Sequence, residues 1–216
     1  MNAVVLIRHG ATELNEADCY QGSSDPPLSE RGRRQARRLW RRLSGAVDGV
    51  HSVWTSDLRR ARETAMLAFP DLPRREDPRL RELDFGAFEG ATHEENRARH
   101  GDAFLDWIAA PGRADPPDGE PLEAFRRRIR SWIDEAAAPP DPVAVTHGGP
   151  IRMILSILTG VDFARLRWAG IPPATPIRLE RRRSSWRLAT ASDGDAAADE
   201  RTEALEGLRR ILEEER

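Results

Sequence analysis

Short apolar runs rich in β-branched residues, each followed by a stretch with helical periodicity, constrain this chain more than any other feature. Residues 3–8, Ala-Val-Val-Leu-Ile-Arg, are apolar on both faces and too short for a buried helix, so they read as a strand covered on both sides. His51-Ser52-Val53-Trp54-Thr55 reads as a second strand and Val143-Ala144-Val145-Thr146 as a third. A helix is expected from Ser29 to about Leu43, where Ala36, Leu39, Trp40 and Leu43 keep helical spacing against an Arg-rich outer face. Further helices are expected over 58–69 behind a Ser56-Asp57 cap, over 93–110, over 122–137 and over 149–158. Residues 174–179 and 185–190 read as two edge strands of a hairpin, 10–27 and 111–121 as loops, and 79–88 as irregular or extended. Strands alternating with helices imply an α/β fold with a mostly parallel central sheet covered on both faces, a three-layer αβα sandwich.

Composition narrows the function classes. With 39% hydrophobic and 32% charged residues the chain suits a soluble globular protein. Its 216 residues allow one sizeable core, expected over 1–191. Residues 192–216 read as an acidic, Ala-rich tail, helical around Leu205, Leu208, Ile211 and Leu212 and either docked or a mobile appendage. No apolar run approaches the ~20 residues of a membrane span, and no basic region precedes the apolar start. The single Cys19 cannot form an intramolecular disulfide. Together these predict a cytoplasmic protein with no membrane partner. A net charge of −2 makes no electrostatic case for nucleic acid. All 34 basic residues are arginines, so lysine Schiff bases and the P-loop lysine are excluded.

The chemistry-bearing residues fall at the carboxyl ends of the strands, where open α/β sheets bind ligands. His9 ends the first strand in Arg8-His9-Gly10, and His147 ends the third in Thr146-His147-Gly148-Gly149. Arg59 and Arg60 follow the second strand at the same sheet edge, and the planar fork of arginine suits phosphate oxygens. Glu82 lies between Leu80 and Leu83, where partial desolvation favours a protonated carboxyl group. These are the parts for phosphoryl transfer to a histidine: an imidazole nucleophile, arginines and a second imidazole around the phosphoryl oxygens, and a carboxyl group for the leaving-group proton. No metal is expected, because the arginines already neutralise the charge and His93-Glu94-Glu95-Asn96-Arg97 lacks the second histidine of a zinc helix. Trp107 and Trp132 read as core.

Leu6-Ile7-Arg8-His9-Gly10-Ala11-Thr12-Glu13-Leu14-Asn15 resembles the Arg-His-Gly signature of the histidine phosphatase superfamily, the phosphoglycerate mutase-like fold. The resemblance continues through Tyr20-Gln21-Gly22, Pro27-Leu28-Ser29-Glu30-Arg31-Gly32 and the stretch from Thr55 to Ala65. It then runs through the stretch from Leu80 to Gly90 and Val145-Thr146-His147-Gly148-Gly149. It implies His9 as the phosphorylated nucleophile, Glu82 as the proton donor, and Arg8, Arg60 and His147 as the phosphate pocket. It further implies Asn15 as a phosphate ligand, Thr12 and Gln21 as pocket-lining residues, and the Gly148 amide as a donor. It implies a small phosphorylated substrate and no cofactor, and leaves open a homodimer. The stretch from Leu83 to Gly90, Phe104-Leu105-Asp106-Trp107 and the stretch from Pro117 to Leu122 resemble the α-ribazole phosphatase branch, which acts on α-ribazole 5'-phosphate in cobalamin biosynthesis. A cofactor-dependent phosphoglycerate mutase and a non-catalytic phosphate-binding or scaffolding member of the fold are the alternatives. The mutases' tyrosine and lysine substrate clamps have few counterparts in a chain with one tyrosine and no lysine.

Overall fold

The structure, a computed structural model, describes residues 1–43, 50–110, 112–138, 140–183, 185–189 and 200–214. Positions 111, 190, 192–199 and 215–216, which figure in the loop, hairpin and tail expectations, lie outside the described residues. In chain order the elements are β1 (Ala3–Arg8), α1 (Glu13–Glu16), α2 (Glu30–Arg42), β2 (Val53–Thr55), α3 (Arg59–Ala68) and β3 (Arg74–Glu76). Two 3-10 turns follow at Pro78–Leu80 and Gly86–Phe88, then α4 (His93–His100), α5 (Asp102–Ala109) and α6 (Leu122–Ala136). The chain continues with β4 (Val143–Thr146), α7 (Gly148–Thr159), α8 (Phe163–Leu166), β5 (Pro176–Arg182), β6 (Ser185–Ala189) and α9 (Glu200–Glu213).

The six strands form one sheet in the order β3-β2-β4-β1-β5-β6. β3, β2, β4 and β1 run parallel, while β5 is antiparallel to both β1 and β6. The mostly parallel α/β sandwich expected from sequence is therefore present. The alternation of side chains along β1 builds its two cores. Val5 and Ile7 pack with Leu39, Ala61, Ala65 and Phe69 of the α2–α3 side. Val4 and Leu6 face Phe125, Ile129 and Trp132 of α6, Ile151 and Ile154 of α7, and Leu208 of α9.

Several expectations need correction. The hairpin is not a pair of edge strands, because β5 also pairs with β1 and, of the two, β6 alone lies at a sheet edge, opposite β3 at the other. Residues 93–110 form two helices rather than one: Gly101, at φ 49, breaks the ladder with a conformation a helix cannot hold. The loop from 10 to 27 contains the short helix α1, capped by Thr12. Ser56-Asp57 is not the N-cap of α3; Leu58 occupies that position, and Asp57 instead pairs with Arg81 at 2.6 Å. The stretch 79–88 is partly ordered by its two 3-10 turns, with Glu82 on the extended link between them. α9 is docked: Leu208 and Leu212 are buried in the same core as α6 and α7, each such burial being worth about 1.5–3 kcal/mol. No helix among the described residues is long and apolar enough to cross a membrane.

Candidate active site

Sheet register brings the two histidines together. Arg8 pairs with Thr146 across the parallel β1–β4 ladder, so the residues that follow, His9 and His147, leave adjacent strand ends. Their rings lie 5.0 Å apart, and the His9 amide donates to Thr146 O at 2.8 Å. Both side chains are buried. His9 Nδ1 lies 2.7 Å from the Gly10 carbonyl, which can only accept, so Nδ1 carries the proton and Nε2 keeps its lone pair. Burial holds the His9 pKa well below its ordinary 6.5, and the charges of Arg60 and Arg8 lower it further.

His147 is fixed from both sides. Arg60 Nε donates to its Nδ1 at 3.1 Å, which leaves the proton on Nε2, 2.9 Å from Ser56 Oγ. Burial, then the charge of Arg60, lowers its pKa well below 6.5 as well. An incoming anion would compete with Ser56 for the Nε2 proton.

Of the two adjacent arginines only Arg60 points inward: it is fully buried, while Arg59 is exposed and pairs with Glu63 at 2.7 Å. Arg60 Nη1 donates to Ser24 O at 2.6 Å and Nη2 to Gly22 O at 2.8 Å. Arg8 Nη1 donates to Ile171 O at 2.8 Å, and its buried Nε has no partner among the described residues. Desolvation lowers the pKa of both guanidinium groups, that of Arg60 to about 10. Neither is paired with a carboxylate among the described residues.

The loop residues are wired to one another. Thr12, fully buried, caps α1 and sends its Oγ1 hydrogen to Gln21 Oε1 at 2.8 Å. Asn15 Oδ1 accepts from the Thr12 amide at 3.2 Å, so its carbonyl side is spent on the capping box and its amide side is not. Gln21 Nε2 is buried without a partner among the described residues. Glu82 accepts from the Leu83 amide at 2.9 Å, and both its oxygens lie 3.0 Å from the Gly149 amide. That approach requires glycine, since a Cβ at position 149 would collide with Glu82 Oε1. Gly148 opens α7 beside His147.

Next to this cluster lies a cavity of about 330 Å³ that shares Glu82 and Gly149 with it. Six aromatic residues line it, Tyr20, Phe85, Trp107, Phe125, Phe163 and Trp168, beside charged groups that include Glu82 and Glu120. Trp107, expected only as core, is buried and also faces this space, whereas Trp132 is core alone. Sequence reasoning missed Arg152, Arg167 and Trp168, which arrive from α7 and the segment after α8. It also missed Arg128, which pairs with Glu120 at 2.7 Å and donates to Glu82 O at 2.9 Å. Among the described residues no three His, Cys, Asp or Glu side chains group as a metal site would need.

Residues 4–194 match the profile of the histidine phosphatase superfamily, branch 1. Phosphoserine phosphatase 1 of Hydrogenobacter thermophilus is 30% identical over 191 residues, 85% of this chain and 90% of that protein. A 2,3-bisphosphoglycerate-dependent phosphoglycerate mutase of Methylobacterium radiotolerans is 30% identical over 184 residues, 81% of this chain and 87% of its own. The crystal structure of the α-ribazole phosphatase from Shigella flexneri superposes with a TM-score of 0.76 at 26% identity, covering 90% of this chain and 100% of that one.

Proposed function

The chain belongs to the histidine phosphatase superfamily as a hydrolase of small phosphate esters, and from that premise we propose that it acts through a phosphohistidine at His9. One observation carries the reading. The Gly10 carbonyl holds the His9 proton on Nδ1, so the Nε2 lone pair is available beside guanidinium groups that form no ion pair with a carboxylate among the described residues. In the first step Nε2 forms a bond to phosphorus, the ester P–O bond breaks, and the departing oxygen takes a proton from Glu82. In the second, water attacks phosphorus, gives a proton back to the Glu82 carboxylate, and the N–P bond breaks to release phosphate. Arg8 and Arg60 stabilise the charge on the phosphoryl oxygens. The unpartnered Arg8 Nε and Gln21 Nε2, together with the Asn15 amide, are donors that such oxygens would satisfy; an unmet buried donor costs about 1–3 kcal/mol. His147 contributes by holding Arg60 and facing His9, Thr12 by holding Gln21, and the Gly148 amide by closing the pocket. No step draws on a metal or cofactor.

The aromatic cavity beyond Glu82 receives the leaving group in this scheme. Its size and apolar wall suit a planar base, so α-ribazole 5'-phosphate is the specific substrate we propose, with a place in cobalamin biosynthesis in the cytoplasm. Likeness to the mutase favours a second reading, in which a bound hydroxyl rather than water accepts the phosphoryl group. The deciding experiment is turnover on a panel of α-ribazole 5'-phosphate, O-phosphoserine, phosphoglycerates, sugar phosphates and an aryl phosphate, with and without chelator. Release of inorganic phosphate that survives chelator is expected. Phosphoryl exchange between phosphoglycerates without net phosphate release would select the mutase, and loss of all activity in chelator would overturn the metal-free scheme.

A further inference from the structure

Arg152 stands one turn into α7 after His147-Gly148-Gly149, on the wall of the aromatic cavity. Its guanidinium plane is fixed, with Nε and Nη2 donating to Ala169 O at 3.1 and 2.8 Å. Its Nη1 has no protein acceptor among the described residues. That nitrogen lies against Gly148, 2.8 Å from where a Cβ at that position would stand, and Glu82 Oε2 lies 3.8 Å from the same point. The free edge of Arg152 and the carboxyl group of Glu82 therefore flank the residue whose amide opens α7.

Arg152 shares a pattern with Arg8 and Arg60. Each is anchored on neutral backbone carbonyls, and none forms an ion pair with a carboxylate among the described residues. Desolvation and the neighbouring charge of Arg8 lower the Arg152 pKa to about 10, partly offset by Glu82. Glu82 is the one carboxylate whose charge reaches all three guanidinium groups, with Asp25 and Glu89 acting on Arg60 as well, and a phosphoryl dianion would add the charge that faces Arg8 and Arg152.

One short strap holds two of the three. Ala169 O receives Arg152 and Ile171 O receives Arg8, so residues 169–171 set the spacing of both guanidinium groups. Helix α9 backs that strap at its middle residue, where a Cβ on Gly170 would lie 2.9 Å from the Ala204 Cβ.

Resting on the phosphohistidine reading, we infer that Arg152 is a third cation of the phosphoryl site, contacting the transferred group through Nη1, and that the 169–171 strap braced by α9 sets its position. The alternative occupant of Nη1 is a carboxylate carried by the leaving group. The strap that Arg152 shares with Arg8 favours the phosphoryl group.

The test uses the full chain, calorimetric titration with inorganic phosphate, and turnover of two esters differing only in a carboxylate, phosphoglycolate and ethyl phosphate. Arg152→Gln is expected to raise the phosphate dissociation constant about 10- to 100-fold, the worth of a charge-assisted hydrogen bond, and to raise KM alike on both esters. Unchanged phosphate affinity in a folded Arg152→Gln protein overturns the inference. So does a loss confined to phosphoglycolate, which would assign Nη1 to the leaving group. If Arg152→Gln does not fold, Gly170→Ala moves the strap without removing a charge. It should weaken phosphate binding, and adding Ala204→Gly should restore it; phosphate affinity indifferent to both changes overturns the inference. Wild-type protein that binds phosphate yet hydrolyses neither of these esters nor α-ribazole 5'-phosphate would end the phosphatase reading, while the calorimetric comparison would still decide the role of Arg152.

Discussion

The histidine end of the site and the aromatic cavity beside it share Glu82 and Gly149, yet they are built on opposite principles. Around His9, fixed polar partners set nearly every group: Gly10 for the nucleophile, Arg60 and Ser56 for His147, backbone carbonyls for Arg8 and Arg60. The cavity is held by edge-on aromatic contacts, with Tyr20 5.4 Å from Phe85 and 5.6 Å from Trp107, and its rim residue Trp168 is 65% exposed. Hydrogen-bond geometry tolerates little displacement, whereas apolar walls can be resized at modest cost. The comparison teaches that the chemistry is locked in one region and the choice of leaving group is left to the other.

The sharpest way to break this comparison is at the nucleophile. His9→Ala should lower turnover on every ester by about 10⁴-fold or more and abolish an acid-labile phosphoenzyme, measured by steady-state kinetics and quench trapping. A wild-type rate would remove His9 from the mechanism. Glu82→Gln, at the boundary, should slow alkyl phosphates by about 10²–10⁴-fold and an aryl phosphate with a good leaving group far less, because that oxygen needs no proton. An equal loss on both would deny Glu82 its role as acid.

Within the cavity the effects should be smaller and selective. Trp168→Ala should raise KM for a naphthyl phosphate by roughly three- to tenfold, the worth of an aromatic contact of about 0.5–1.5 kcal/mol, and leave glycerol phosphate unchanged. A change in kcat on both substrates would show that the two regions are not separable.

The mildest test is pH. Burial depresses the pKa values of His9 and His147 below 6.5, so between those values and 6.5 the unfolded chain binds more protons than the folded one. Their contribution to stability is complete above about 6.5 and declines as pH falls below it. Melting temperature should be flat above that point and drop on the acid side, about 2–4 °C for each kcal/mol lost, and His147→Asn should flatten the drop. Activity should keep its neutral nucleophile to pH values well below 6.5 for the same reason.

Much of the histidine end was legible because it is local. A strand followed by His-Gly, twice, places both imidazoles at one sheet edge, and the parallel pairing of Arg8 with Thr146 does the rest. What stayed hidden depends on distant segments meeting. Arg152 is one arginine among 34; its place as the only charged residue of α7, one turn after the His147 motif, was a signal in the sequence, but its anchor is a carbonyl at Ala169. Trp168 has no periodicity to betray it, since it follows a four-residue helix. Strand β3 reads Arg74-Arg75-Glu76, wholly exposed, and joins the sheet through backbone pairing and the stacking of Arg75 over Trp54, so no apolar pattern marks it. The break at Gly101 was visible as a glycine, but a helical pattern often tolerates one.

The place of β1 has a kinetic consequence. It carries the nucleophile, yet on one side Val5 pairs with Val143 and on the other with Arg178, partners more than half the chain away. Closing loops of that length must precede any reward from pairing, which slows folding and makes it cooperative. Recovery of catalytic turnover during refolding is therefore a readout of the assembled sheet, and no fragment ending before β5 can seat the nucleophile between both of its neighbouring strands.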